Sequence, residues 1–64
     1  MPSITIQIAK LSVEKKKELI GKLTSAASEV TGIADEKFFV FVDEYDHDNI
    51  GVGGQSLADK MAGK

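Results

Sequence analysis

The stretch Ser3-Ile4-Thr5-Ile6-Gln7-Ile8-Ala9 decides the fold. Ile4, Ile6 and Ile8 fall on one face of an extended chain, and Ser3, Thr5, Gln7 and Ala9 on the other. A period of two with β-branched residues marks a strand with one apolar side. Working outward, Lys10-Leu11-Ser12 forms a short link, and the period changes at Val13. Leu19, Ile20, Leu23, Ala26, Ala27 and Val30 recur at helical spacing and build one apolar stripe. The Ser12 hydroxyl is placed to cap this helix, although Lys15 stands where a full capping box would carry an acid. Gly32 follows the last helical residues and can take the left-handed conformation that ends a helix. The helix is therefore expected over Val13–Thr31. Gly21 costs about 1 kcal/mol relative to alanine there and leaves room for close approach by another element. Lys15, Lys16 and Lys17 read as a solvated face, and Glu18 and Lys22 as a favourable i,i+4 pair.

Residues 38–42, Phe38-Phe39-Val40-Phe41-Val42, form the second strand candidate, apolar on both faces. The order strand–helix–strand predicts a parallel pair joined by a crossover. One helix covers only one side of so small a sheet. The other side stays apolar and exposed in a lone subunit, which calls for a partner. Residues 43–49 are acidic and polar and are expected to form a solvated loop. Residues 50–54 (Ile50-Gly51-Val52-Gly53-Gly54) suit a short strand or hairpin against another subunit. Ser56 can cap a brief terminal turn containing Leu57, Ala58 and Met61. The expected class is α+β, a β-α-β subunit with a parallel strand pair and a short C-terminal hairpin. With no repeat, long linker or low-complexity tail, residues 1–64 are expected to be one domain.

A chain of 64 residues stands near the size at which a single core becomes insufficient. It has no cysteine, so disulfides and thiolate metal sites are excluded and association is the economical route to stability. Eight Lys/Arg and ten Asp/Glu give a net charge of −2, which argues against nucleic acid as the main partner. No segment reaches the length of a membrane span, and the amino terminus lacks a secretory pattern. The cytoplasm is the expected location.

Three groups invite a functional reading. Gly51, Gly53 and Gly54 lack phosphate-loop spacing and its Lys-Ser/Thr ending, so tight chain reversal or close subunit approach is their plainer use. Asp46 and Asp48 begin like a calcium loop, but Ile50 and Leu57 stand at positions that need oxygen ligands. His47 has no second histidine or cysteine with which to hold zinc. No metal site is expected. Pro2 differs, because methionine before a small residue is commonly removed and this would expose a secondary amine. Ordinary α-amino groups titrate near 8, and an apolar setting lowers that value. Such an amine can remove a proton α to a carbonyl and return it elsewhere. The plain alternative is a strand-opening proline whose missing N–H needs no partner.

Taken together, Pro2-Ser3-Ile4-Thr5-Ile6, the helix opening at Ser12, a second strand ending in Glu44 and the segment Gly51-Val52-Gly53-Gly54 resemble the 4-oxalocrotonate tautomerase family. The similarity spans almost the whole chain. It implies a homohexamer arranged as a trimer of dimers and a cofactor-free isomerase with the processed Pro2 as general base. By the same resemblance, Lys10 falls where the family's first substrate-binding arginine lies, in a link one residue shorter. Phe39 takes the second arginine's place, and Ile50 takes that of an aromatic wall. The chain has no arginine at all. Lysine lacks the planar fork that grips a carboxylate bidentately, so dicarboxylates fit poorly and a smaller or less acidic enolisable substrate fits better. His47 is the competing base. The alternative function is a non-catalytic oligomeric binding or structural protein that keeps this fold.

Overall fold

Seven register pairs join strand β1 (Ser3–Ala9) to strand β2 (Phe39–Tyr45) in parallel, from Ser3 opposite Phe39 to Ala9 opposite Tyr45. The computed structural model describes residues 1–63. Helix α1 (Val13–Thr31) links the two strands. Its start is fixed as the sequence implies, because the Ser12 hydroxyl accepts the Lys15 N–H at 3.2 Å. Its end is closed by Gly32 at φ 75°, whose N–H donates to the Ser28 carbonyl at 2.9 Å. Ser28 and Thr31 add side-chain bonds to Ile33 and Ala27, each 2.7 Å, so the last turn is tied to the exit chain.

A 3-10 turn at Asp35–Lys37 precedes β2 and shifts its start by one residue from the expected Phe38. The Phe38 N–H is taken by the Asp35 carbonyl at 3.1 Å, and the ladder begins with Phe39 donating to Pro2. At the other end the strand runs one residue past Glu44, where the resemblance ended it, and three residues past the apolar run. Asp43, Glu44 and Tyr45 pair with Gln7, Ile8 and Ala9 and are not loop. The seven residues of β1 offer ladder partners to the end, and this outweighs the poor strand propensity of two acids. A second 3-10 turn, His47–Asn49, leads to β3 (Gly51–Val52) and β4 (Gln55–Ser56), an antiparallel hairpin. Gly53 and Gly54 form its two-residue turn at φ 62° and 84°, the doubly left-handed geometry of a type I′ connection. Ser56 then caps α2 (Leu57–Met61) by accepting the Asp59 N–H at 3.1 Å.

Ile4, Ile6, Ile8, Val40 and Val42 share the half-buried face of the sheet with Glu44, whose carboxylate meets Lys16 of α1. Leu19, Leu23 and Ala27 cover that face, but Ile20, Ala26 and Val30 stay exposed, Val30 by 85%. The apolar stripe of α1 is wider and longer than two strands can cover. No described residue is fully buried. The radius of gyration is 15.2 Å, against about 11 Å for a compact chain of this length. The surface is 4809 Å², against about 4,000 Å² for a globular monomer of this mass. The outer sheet face presents Phe39 and Phe41, each 49% exposed, and Tyr45 at 38%. Covering the rest of one such phenylalanine stabilises by roughly 1 kcal/mol. The subunit is built to self-associate.

Candidate active site

Pro2 stands at the start of the parallel ladder, where its carbonyl accepts the Phe39 N–H at 3.0 Å. The pairing fixes Pro2 beside Phe39, the residue that resemblance put in the position of a substrate-binding arginine. Met1, beyond it, is 82% exposed. With Met1 attached, the Pro2 nitrogen is an amide and has no basicity. With Met1 removed, the same nitrogen becomes a secondary amine whose place is held by the Phe39 bond.

The other two nominated residues lie at the opposite end. Lys10 follows the last residue of β1, and Ile50 enters the hairpin. Seven strand residues separate Lys10 from Pro2, about 26 Å over eight steps of 3.3 Å, and Ile50 lies beside Gln7, Ile8 and Ala9 near the same end. Ile50 helps line a depression of about 460 Å³ with Gln7, Ile8, Tyr45, Asn49 and Leu57. That depression does not include Pro2 or Phe39. Lys10 shares a smaller one of about 190 Å³ with Ala9, Tyr45, Asp46 and His47. Its ammonium is 3.9 Å from the Asp46 carboxylate, and both side chains are exposed. Within one subunit the structure brings Pro2 to Phe39, and Lys10 to Asp46 and His47, but does not bring these two sets together.

Glu44 organises the Lys10 end. Its Oε2 accepts the Leu11 N–H at 2.9 Å and its Oε1 accepts from the Lys16 ammonium at 3.0 Å. The Leu11 amide, then Lys16, hold its carboxyl below the usual carboxylate range. Lys16 thus leaves the solvated lysine face expected for it and turns inward. Sequence reasoning missed this contact, because its partners are separated by 28 and 33 positions and Glu44 looks like one more acid in an acidic run. The only local signal was Lys16 itself, one helical turn before Leu19 and Ile20 and so on the edge of the inward stripe. Among the described residues no three His, Asp or Glu side chains gather as a metal-holding group. None of the described helices is long and apolar enough to cross a membrane.

The family pattern described as "Tautomerase enzyme" matches residues 2–60.

The chain belongs to the tautomerase family.

A probable tautomerase of Bacillus cereus is 39% identical over 61 residues, which cover 94% of this chain and 100% of the relative. The 2-hydroxymuconate tautomerase of Bacillus subtilis is 37% identical, with 92% and 97% covered. Among solved structures, a 4-oxalocrotonate tautomerase homologue from the tomaymycin biosynthetic pathway superposes with a TM-score of 0.90 at 32% identity, covering 95% of each chain. Another homologue of 4-oxalocrotonate tautomerase gives 0.83 at 36% identity, covering 91% of this chain and 97% of its own. The parallel pair, the long helix and the terminal hairpin are therefore the tautomerase β-α-β fold, and the protein is an isomerase of that family.

Proposed function

We propose that this protein is a cofactor-independent tautomerase that moves a proton within a small enolisable keto acid or 2-hydroxydienoate, with the processed Pro2 amine as general base. The observation that carries the reading is the 3.0 Å bond from the Phe39 N–H to the Pro2 carbonyl. It anchors the residue whose nitrogen must do the chemistry while leaving Met1 exposed for removal. The free amine takes a proton from carbon or from the enol oxygen and holds it as an ammonium. The electron pair left behind spreads into the carbonyl as a dienolate, and the ammonium returns the proton to another carbon. Each cycle ends with the amine neutral and the substrate isomerised.

Because Pro2 and Lys10 are about 26 Å apart along one extended strand, a complete site draws them from different copies. We take the assembly to be a homohexamer, a trimer of dimers, and each chain to be one tautomerase domain over residues 1–64, working in the cytoplasm. Lys10 then supplies a point charge for a single carboxylate, while Phe39 and Ile50 form apolar walls. The apolar Phe39 beside the base favours monoanions over dicarboxylates. A backbone N–H, Lys10 or ordered water would stabilise the enolate oxygen.

Phenylpyruvate tautomerisation by the processed protein, Pro2→Ala and His47→Ala tests the base. Removing a positioned base costs about 10²–10⁴ in rate. Pro2→Ala is expected to lose activity on that scale with the oligomer intact, its primary amine leaving a weak residue of turnover, while His47→Ala stays active. Full activity in Pro2→Ala rejects the assignment. Ligand binding without turnover in every form would favour a non-catalytic binding protein.

A further inference from the structure

Lys10 lies between two carboxylates at the end of β2, and they act on it differently. Glu44 grips the link and leaves the ammonium alone: Oε2 accepts from Leu11 N–H at 2.9 Å while Oε1 meets the Lys16 ammonium at 3.0 Å. Leu11 directly follows Lys10, so this bond fixes the peptide from which Lys10 departs. The Glu44 and Lys16 side chains retain only 21% and 30% exposure, which makes the grip a packed one. Asp46 meets Lys10 head on, with Oδ1 3.9 Å from Nζ and both groups in solvent. A substrate carboxylate arriving at Lys10 meets the negative charge of Asp46 beside the same ammonium and competes with it. It need not replace Glu44, whose two oxygens are already engaged.

We propose that these two acids set the anion affinity of Lys10 in opposite directions, Glu44 as a positioning residue that holds the Lys10–Leu11 link and Asp46 as an internal competitor for the ammonium. The ligand class is a small keto acid with one carboxylate. The inference rests on the reading of Lys10 as the substrate's cation. The charge of Lys10 also contributes to holding the Glu44 carboxyl low, so the two groups sense one another across the link. An exposed pair is weak, so relief of Asp46 changes affinity by roughly two- to fivefold. Loss of the Leu11 hydrogen bond is worth about three- to tenfold.

The test compares kcat and KM of processed protein at pH 7.5 on phenylpyruvate, a monoanion, and on a neutral 1,3-diketone. Glu44→Ala is expected to raise the monoanion KM by roughly three- to tenfold, with little change in kcat or in the neutral substrate's KM. Glu44→Gln, whose amide oxygen still accepts from Leu11, restores most of that loss. Asp46→Asn is expected to lower the monoanion KM, a gain that general loosening of the fold does not produce. Neither change has an effect on top of Lys10→Ala. Unchanged monoanion KM in Lys10→Ala overturns both the Lys10 reading and this inference. A Lys10 effect without opposite shifts from Glu44 and Asp46, or equal shifts on both substrates, overturns this inference alone. Should Glu44→Ala not assemble, Asp46→Asn decides, and a monoanion KM that fails to fall overturns the proposal.

Discussion

At the Pro2 end of the β1–β2 ladder the fixed contact is backbone, a single N–H from Phe39, and the neighbouring side chains are apolar and exposed. At the Lys10 end the contacts run through carboxylates: Glu44 accepts from the Leu11 N–H and pairs with Lys16, and Asp46 stands in solvent 3.9 Å from Lys10. The first end offers a nitrogen, apolar surface and no cation–carboxylate contact. The second offers charge, a depression and the imidazole of His47. On the proposed reading neither end is a complete site, and proton transfer and substrate binding meet across an interface between copies. The exposed Phe39 and Phe41 face supplies the surface that makes such an interface favourable.

The largest expected effect comes from breaking that interface. Phe41→Asp puts a charge where association buries an aromatic ring, which costs far more than the ring's own transfer. Sedimentation at micromolar concentration is expected to show loss of the oligomer, with loss of cooperative folding and of all activity. A stable, active, folded monomer would dissolve the comparison, because one subunit would then hold a complete site. Next in size is Phe39→Arg, which gives the Pro2 end the cation it lacks. It should shift preference toward dicarboxylates, read as a rise in their kcat/KM relative to phenylpyruvate. Partial burial makes the same charge costly, so a fall in stability is expected with it.

A smaller effect separates the two ends by pH. The Glu44 carboxyl is held low by Leu11 and then by Lys16, so the folded state binds its proton less readily than the unfolded chain. Stability from this group is therefore present above the ordinary carboxylate range and lost as pH falls through the lowered folded value. Wild type should exceed Glu44→Gln in urea midpoint at pH 7, and the gap should close in acid at matched protein concentration. A gap independent of pH would mean that packing, not charge, holds the Lys10 end. The smallest effect belongs to Gly21, which is exposed and has no atom within 4 Å of where a Cβ would lie. Gly21→Ala should stabilise by about 1 kcal/mol. Destabilisation or lost assembly would reveal that another copy packs against this turn.

Much of the fold was legible because it rests on local rules. The alternation of Ile4, Ile6 and Ile8 gave β1 its bounds, Ser12 and Gly32 bracketed α1, and the paired glycines gave the hairpin turn. The errors came where distant partners overrule local preference. Asp43 and Glu44 read as loop until β1 offers them ladder partners, and Lys16 reads as solvent-facing until Glu44 is placed beneath it. Val30 belongs to the helical stripe by spacing but stays exposed because two strands are too narrow for α1. For the site, Pro2 and Phe39 were singled out separately, and only the strand register puts them side by side. The distance from Pro2 to Lys10 follows from the predicted strand between them, whereas the place of Ile50 beside Gln7 and Ile8 needs the chain folded in space.

The proposed base is an amine that exists only when Met1 is gone. Intact mass and phenylpyruvate turnover measured on the same preparations test it most directly, using fully processed protein, protein with an uncleavable amino-terminal extension, and refolded mixtures of the two. Activity is expected to rise with the fraction of chains carrying a free Pro2 amine and to fall by about 10²–10⁴ when none does, with the oligomer unchanged. Full turnover from an assembled preparation in which every Pro2 nitrogen is an amide would contradict the account.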